Sequence, residues 1–516
     1  MVAAAVDRRA LARVACVRSC PSVCPQREEH SPVAPLRPRA VSDRDAANRA
    51  PRWTSSRNRG NKHRYWPRPS VYVTPSPCHE LLPTRPTRRR PGLLSLGGPG
   101  QPLFHKPDNP YRTMMDTPRH TSSPLDNWLV RAGATTGYIL DFHGTLRDSD
   151  LLIRRTLHRA AALPALRHVL PAPRSRHWTT RKAPLDPDLH VRHHVLARHA
   201  DLHTVTRDLL RLPLPDGPHP PWAVWIVADA HRQRFRVCYR VHHALQDGAS
   251  AAHTALTLLA DQPTPGPHPY QPARPTLVGA LLTARGFLGN LRRERRWPRL
   301  PVELPNQIDW VYEAVSEERL RRLGTAWNVT VNDVCLAAIA QAMREWRASS
   351  RSCPDLPVIM PMTLRQKHEP YAAGNRITAH RLLLPCSAAS FGEALHEVRR
   401  QTDALRIHRA RDAARWAMAA LPRRLGERSC TRMLDAQAVP VTTSSITLPQ
   451  TPTCHGVPLH GASMLNTPHT GCPTYISFTR AAGTVRCTAI HGSSLTEMPS
   501  ITRAWARVID QQYSHY

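Results

Sequence analysis

Two neighbouring stretches near the middle of the chain have the apolar patterns of β-strands. Residues 222–230, WAVWIVADA, are almost continuously apolar. Residues 235–243, FRVCYRVHH, have an apolar or aromatic residue at every second position from Phe235 to Val241. The polar turn HRQR separates them, so the pattern predicts a β-hairpin. A period of two sends His242 and His243 to opposite faces of the second strand. His243 shares its face with the apolar or aromatic residues Phe235, Val237, Tyr239 and Val241.

Helical periods follow the hairpin and recur in the second half of the chain. Residues 249–261, ASAAHTALTLLAD, predict one helix, and residues 330–346, TVNDVCLAAIAQAMREW, predict a second. Thr330 and Asp333 suit an N-terminal cap of the second helix. Further predictions are strands at 358–365 and 377–385, a helical region from Phe391 to Met418 and a hairpin at 471–492.

These elements predict an α/β fold of the α+β type in two lobes. The first lobe is expected at 114–261 and the second at 306–516. Residues 262–305 are rich in proline and arginine, which indicates an exposed connection between the lobes.

Residues 1–113 are basic and proline-rich and lack any sustained period. Such a composition buries too little apolar surface to offset the entropy of ordering, which predicts a disordered tail. The alternative is a biological start at Met114 or Met115, with the upstream stretch left untranslated. We favour this alternative slightly, because patterned sequence begins just there.

Composition narrows the choice of partners. The formal net charge is +33, which favours polyanionic contacts such as nucleic acid, anionic lipid or a phosphorylated cofactor. The basic excess is spread along the chain, and no nucleic-acid recognition motif is present, so no nucleic-acid partner is expected. The 12 cysteines lack metal-site spacing, and no apolar run reaches the length of a membrane span. We expect no metal site and a cytoplasmic protein, with peripheral contact to a membrane as a further option.

The stretch RVHHALQDGAS at 240–250 carries the candidate chemistry, in the form H-H-x-x-x-D-G. A histidine at a strand end can accept a proton at neutral pH, and His243 is the one that the alternation turns to the apolar face. Asp247 is expected either to pair with an arginine or to orient a ring nitrogen. Gly248 allows a tight turn or a close backbone approach. His242 completes the motif.

The motif resembles the active site of the CoA-dependent acyltransferase superfamily, which includes chloramphenicol acetyltransferase, carnitine acyltransferases and peptide-synthetase condensation domains. Other stretches resemble, in order, elements of the bacterial wax ester synthase/diacylglycerol acyltransferase family. They are SSPLDNWLV (122–130), PPWAVWIV (220–227), VNDVCLAAIAQAMREW (331–346) and MPMTLRQKHEPYAAGNRI (360–377). One departure is SSITLP (444–449), where the family usually has a turn of sequence S-N-V-P-G-P.

The resemblance implies two lobes of mixed sheet flanked by helices, with a tunnel between them. It further implies acyl-CoA as co-substrate, no bound cofactor, and a hydroxyl acceptor that is diacylglycerol or a long-chain alcohol. His243 would be the base. Asn332 and Asp333 match the family's N-D pair and are expected to shape the site, although Asp333 as a helix cap explains the pair equally well.

Residues 442–445 leave two interpretations open. Ser444 and Ser445, with Thr442 and Thr443, are candidate donors to an oxyanion, or they are simply a polar strand end. Two other functions also stay open. One is a condensation-type or secondary-metabolite acyltransferase with a carrier-bound donor, and the other is a non-catalytic protein that binds lipid or polyanions.

Overall fold

The computed structural model describes most of the chain beyond its N-terminal region. The described residues are 122–170, 178–181, 184–263, 265–290, 308–346, 353–434, 439–448, 451–467 and 474–515. Residues 1–113 and both candidate start positions lie outside these residues, so the predicted tail stays a prediction.

Helices and strands alternate irregularly along the described chain. The helices are α1 (Pro124–Ala132), α2 (Ser149–Ala161), α3 (Pro187–His190), α4 (Leu202–Arg211), α5 (Gly248–Leu259), α6 (Leu277–Asn290), α7 (Glu317–Ala326), α8 (Val331–Trp346), α9 (Phe391–Ile407), α10 (Ala410–Ala420), α11 (Arg423–Met433) and α12 (Met498–Tyr513). The strands are β1 (Thr135–His143), β2 (His168–Val169), β3 (Thr179–Thr180), β4 (Val191–Val195), β5 (Trp222–Asp229), β6 (Arg234–His242), β7 (Ile308–Ser316), β8 (Leu356–Thr363), β9 (Ile377–Leu384), β10 (Val441–Thr447), β11 (Thr453–Cys454), β12 (Val457–Asn466), β13 (Thr474–Ala481) and β14 (Thr484–Gly492).

Two mixed sheets of six strands form the body of the protein, which confirms the predicted fold class. The first sheet has the order β11-β12-β1-β6-β5-β4, and β4 and β5 are its parallel pair. The second has the order β7-β14-β13-β10-β8-β9, in which β10 runs parallel to both β8 and β13. Helices α2 and α5 pack on the first sheet, and α8 and α12 pack on the second.

One strand joins a different sheet from the one that chain order suggests. Strand β12 pairs with β1 over Thr136↔Asn466 to Phe142↔Leu459, so a segment of the expected second lobe completes the first sheet. It also contacts the second sheet, because the Thr479 hydroxyl accepts a hydrogen bond from the Met464 amide at 2.9 Å. The lobe boundaries expected from the sequence did not include this exchange, which needs long-range pairing that no local pattern encodes.

The hairpin predicted from alternation is confirmed. Strands β5 and β6 are antiparallel from Trp222↔Val241 to Asp229↔Arg234. Phe235, Val237, Tyr239 and Val241 lie in one core cluster with residues of α5. Cys238 faces the other way, into a cluster with Trp310 and Ile490 of the second sheet.

The second half contains both confirmed and corrected elements. Helix α8 begins with a reciprocal cap, because the Asp333 carboxylate accepts from the Thr330 amide at 3.0 Å and the Thr330 hydroxyl accepts from the Asp333 amide at 3.2 Å. The single helical region expected up to Met418 is instead two helices. Arg409, with φ of 51°, breaks the run, because a left-handed residue cannot continue an α-helix.

The expected connection at 262–305 is more structured than its composition indicated. It contains α6, and its Tyr270 is buried, with the phenol donating a hydrogen bond to Asp412. Prolines cluster before residue 276 and leave the following 14 residues free to form a helix. Residues 291–307 lie outside the described part.

A buried ion cluster joins the two sheets. Asp141 on β1 accepts from Arg236 Nε on β6 at 2.6 Å and from Arg486 Nη1 on β14 at 2.5 Å. All three side chains are buried. The two guanidinium groups also lie over the rings of Trp310 and Tyr312. One carboxylate therefore neutralises two cations from different sheets, and their charges lower its pKa although burial opposes this.

We expect Asp141→Asn to lower the free energy of unfolding by about 3–5 kcal/mol, because it leaves two buried cations without a carboxylate. The matched control, Asp510→Asn, breaks an exposed pair with Arg319 and should change that free energy by less than about 1 kcal/mol. Urea unfolding of both variants measures the difference. Equal losses would contradict the assigned role of Asp141.

Candidate active site

The stretch HHALQDG forms a tight, buried connection between β6 and α5. Strand β6 ends at His242, and α5 begins at Gly248. Inside the connection, Gln246 accepts a hydrogen bond from the Tyr239 hydroxyl at 2.7 Å and donates to Thr254 Oγ1 at 2.8 Å. These buried bonds tie the connection to the strand before it and the helix after it. Gln246 therefore links β6, the connection and α5.

A cavity of about 780 Å³ lies beside this connection, between the two halves of the fold. His243, Gly248 and Ala249 line it from the first half. Residues of the second half also line it and include Asn332, Asp333, Met360, Ser444, Ser445 and Tyr475. Arg406, Arg409 and Arg411 add positive charge to its lining.

His243 is held at the cavity wall through its backbone. Its amide donates to the Ala134 carbonyl at 2.8 Å. Its carbonyl accepts from Asn375 Nδ2 at 2.7 Å, and the same amide group of Asn375 donates to Asp126 Oδ1 at 2.8 Å. The Asn375 backbone amide also donates to Asp126. The first helix, the β6–α5 connection and the segment before β9 thus converge on one histidine.

The protonation state of His243 suits a base. Burial lowers the pKa of His243 from its ordinary value of 6.5, and the opposing effects of its own carbonyl, Asp247 and Asn375 do not cancel this. The ring is therefore neutral at pH 7, with a lone pair available. Its Nδ1 is buried and has no hydrogen-bond partner among the described residues.

His242 is also buried, but it is not among the residues that line the cavity. Its Nδ1 accepts from the Ala244 amide at 3.2 Å, which helps to shape the connection. Burial and the neighbouring His243 lower the pKa of His242 to about 4, so the ring stays neutral. The alternation predicted that the two histidines lie on opposite faces of the strand. In the structure, only His243 of this pair lines the cavity.

Asp247 pairs with an arginine, which is the first of its two expected roles. Arg365 Nε lies 2.8 and 2.9 Å from its two carboxylate oxygens. The amides of Ser250 and Arg376 donate to the same carboxylate at 3.0 and 2.8 Å. The charge of Arg365 and these bonds lower the pKa of Asp247 against the effect of complete burial. Asp247 is therefore a fixed anion that caps α5 and joins the two halves.

Gly248 provides the close approach that the sequence allowed. A Cβ atom here would lie 2.2 Å from Met464 Cε, and the Gly248 carbonyl accepts from the Tyr138 hydroxyl at 2.9 Å. Its φ is not in the left-handed region, so no turn requirement explains the glycine. Because the neighbour is the end of a flexible side chain, the constraint is mild.

Asn332 and Asp333 lie at the N-terminal end of α8. Asp333 caps the helix, as predicted, and its second oxygen accepts from the Thr402 hydroxyl at 2.8 Å. Both Asn332 and Asp333 also line the cavity. The two interpretations of the pair are thus compatible, since one end of the helix faces the cavity.

Residues 441–447 form a strand, which agrees with the interpretation of residues 442–445 as a polar strand end. Ser444 and Ser445 lie on β10, opposite Ser477 and Phe478 of the parallel strand β13. Pairing with β13 on one side keeps the backbone extended through Thr447. Both serines line the cavity, whereas Thr442 and Thr443 are not among its lining residues.

No group of three or more His, Cys, Asp or Glu residues with metal-binding geometry occurs within the described ranges. Burial raises the pKa of the Cys238 thiol to about 12. This thiol lies on the face of β6 opposite to Phe235 and Tyr239. It is therefore a neutral core residue rather than a nucleophile.

Three residues of the site were not identified as functional from the sequence. Asp126, Arg365 and Asn375 hold the β6–α5 connection in place, yet each lies more than 100 residues from it along the chain. The only signal for them was the match of their segments to the family pattern, which did not indicate their partners.

Asp247 and Arg365 should be strongly coupled in stability. We expect Asp247→Ala and Arg365→Met each to destabilise the protein, since each leaves a buried charge without its partner. The double variant should lose less than the sum, with a coupling energy of about 1–3 kcal/mol in chemical unfolding. Losses that simply add would contradict a direct pairing.

Comparisons with known proteins show similar sequences and a similar fold. A family model described as the wax ester synthase/diacylglycerol acyltransferase catalytic domain matches residues 132–296. A Mycobacterium tuberculosis H37Rv protein named a probable diacylglycerol O-acyltransferase, tgs2, is 28% identical over 229 residues, covering 37% of this chain and 50% of that protein. A second protein from the same strain, named Tgs4, is 26% identical and covers 46% and 59%. The chain thus spans about half the length of the curated relatives it matches.

Solved structures show the same fold. A wax ester synthase/diacylglycerol acyltransferase from Marinobacter aquaeolei VT8 superposes with a TM-score of 0.53 and 17% identity, covering 77% of this chain and 100% of that one. The first condensation domain of the calcium-dependent antibiotic synthetase gives 0.56 and 17%, covering 77% and 97%. Residues 132–296 thus resemble the wax ester synthase/diacylglycerol acyltransferase catalytic domain, and the chain shares the fold of a solved protein of that family.

Proposed function

We propose that the protein is an acyl-CoA-dependent O-acyltransferase that transfers a long-chain acyl group to diacylglycerol or to a long-chain alcohol. The observation that carries the proposal is a neutral, buried His243 on the wall of a cavity between two lobes. Two relatives bear the name diacylglycerol O-acyltransferase, which supports diacylglycerol as one acceptor.

The proposed reaction is a direct transfer between the two substrates. His243 removes the proton from the acceptor hydroxyl as its oxygen attacks the thioester carbonyl carbon. The tetrahedral intermediate then collapses, the carbon–sulfur bond breaks, and the CoA sulfur receives the proton from His243. Since a thioester is already activated, the proposal requires neither a metal nor a bound cofactor.

Groups across the cavity are suited to the oxyanion of that intermediate. Ser444 and Ser445 on β10 and Asn332 on α8 face the same space as His243. Hydroxyl and amide donors fixed on a strand and a helix need little rearrangement when charge develops. We propose that one or more of them donate to the oxyanion.

Arginines outnumber carboxylates in the cavity lining, which favours an anionic donor. Arg406, Arg409 and Arg411 contribute to the wall, as do Asp333 and Asp412. Arg406 is paired with Asp403, and Arg411 lies over the ring of Tyr270. A CoA ester carries several phosphate charges, so positive potential near the cavity would raise its local concentration.

One alternative keeps the fold and changes the donor. The likeness to a condensation domain concerns the fold alone, because the identity is 17%. A fold does not fix the substrates, so a carrier-bound donor or an amine acceptor is compatible with it. A panel of acceptors that includes amines separates the two functions. A cytoplasmic location with peripheral contact to a membrane or lipid droplet belongs to the proposal as well.

The direct test follows free CoA thiol from the full chain with palmitoyl-CoA and a panel of diacylglycerol, alcohols and amines. We expect CoA release with diacylglycerol or a long-chain alcohol. The rate of release should fall about 10²–10⁴-fold in His243→Ala, because a positioned base contributes that much to the rate. The matched control is His194→Ala, since His193 and His194 form another adjacent pair, on β4, and His194 is exposed.

Two results would contradict the proposal. One is the absence of CoA release with every acceptor. The other is a His243→Ala variant that transfers at the wild-type rate. Release with amines but with no hydroxyl acceptor would favour the condensation-type alternative instead.

A further inference from the structure

Helix α6 presents an unusual surface for an exposed helix. The side chains of Leu277, Leu281 and Leu288 are 81%, 65% and 60% exposed. At 100° per residue they fall within about 40° of one another, so they form a single stripe. Apolar residues concentrated on a solvent-facing stripe indicate a surface that contacts a partner or a membrane.

The opposite face of α6 explains how the stripe is fixed. A Cβ atom at Gly279 would lie 2.0 Å from the His408 carbonyl oxygen, so the helix lies very close to the chain there. The hydroxyls of Thr276 and Thr283 donate to the carbonyls of His408 and Ala410 at 2.7 and 3.2 Å. The polar face of α6 is thus bound to the start of α10, and its leucines point away from the protein.

Neighbouring helices extend the apolar surface. α6 packs against α10 and contacts α11. On these helices Trp416, Met418 and Leu425 are 59%, 46% and 48% exposed. We call the exposed apolar residues of α6, α10 and α11 the apolar face. They are Leu277, Val278, Leu281, Leu288, Trp416, Met418 and Leu425.

Basic residues predominate around the apolar face. Residues 271–290 contain Arg274 and Arg285 and no acidic residue. Residues 413–426 contain Arg415, Arg423 and Arg424, of which Arg423 pairs with Glu427 on α11 at 3.3 Å. Apolar side chains with arginines around them match a bilayer surface that contains anionic lipid, where the acyl region accepts the former and the headgroups accept the latter. None of the helices in the described ranges is long and apolar enough to cross a bilayer, which limits such contact to the surface.

The apolar face also borders the cavity. The chain reaches α6 directly from Gln271 and Ala273, which line the cavity, and it enters α10 directly from Arg409, which lines it too. A lipid surface on this face would therefore lie next to the space that contains His243.

We propose that the apolar face is the docking surface for an anionic lipid bilayer, and that docking brings the cavity to its lipid substrates. The second statement rests on the proposed function, whereas the first does not.

The test is co-sedimentation of the full chain with vesicles of phosphatidylcholine alone and of phosphatidylcholine mixed with phosphatidylglycerol. We expect binding to the mixed vesicles that weakens as salt is raised. Leu281→Glu with Leu288→Glu should weaken that binding about tenfold or more, because two apolar side chains can no longer enter the bilayer.

A matched control places the same two charges on exposed apolar positions elsewhere. Val195 on β4 and Leu151 on α2 are 59% and 48% exposed, and their double glutamate variant should bind like the wild type. All substituted side chains are solvent-exposed, so unfolding temperatures should stay unchanged and report any loss of folding.

CoA release with a short, water-soluble alcohol separates this proposal from the proposed function. It should be equal in the wild type and both double variants if the apolar face serves docking alone. Vesicle binding of the α6 double variant that equals that of the wild type would overturn the proposal. So would a wild-type protein that stays dimeric without vesicles and becomes monomeric in the α6 variant, because a second copy would then cover the face.

Discussion

The buried pair of Asp247 and Arg365 is the interaction on which the rest of the site depends. The Asp247 carboxylate accepts hydrogen bonds from the Arg365 guanidinium group after β8, from the Ser250 amide in the first turn of α5 and from the Arg376 amide before β9. Removing either charge would strand the other in the protein interior, at a cost of several kcal/mol. The pair therefore fixes the position of the β6–α5 connection relative to the second sheet. Asp141 has a similar effect at another contact between the sheets.

Within this frame, the chemistry of His243 follows from its surroundings. The groups that fix it contact its backbone, through Asn375 and the Ala134 carbonyl, and leave the ring at the cavity wall. Burial then favours the neutral ring, as a base at neutral pH requires. The position of His243 is thus fixed through its backbone, and burial has the largest effect on its protonation state.

The sequence predicted what depends on local pattern. Alternation along 235–243 was enough to separate the two histidines, and the cap at Thr330 was readable from residue types three positions apart. It did not predict contacts made across the chain, such as the crossing of β12 to the first sheet or the partner of Asp247. Helix α6 was hidden because its 14 residues lie within a stretch whose average composition is that of a connection. A polar strand end at 442–445 was one of two interpretations of the sequence, but its partner β13 was not predicted.

The central claim is that His243 is a neutral base held at the cavity wall. Nuclear magnetic resonance of the full chain with isotope-labelled histidine measures its imidazole pKa directly, and the spectrum of His243→Asn assigns the resonance by its absence. The account predicts a pKa below 6.5, so that the ring is uncharged at pH 7. A pKa of 6.5 or above would contradict it, because burial would then not be controlling the charge of the proposed base.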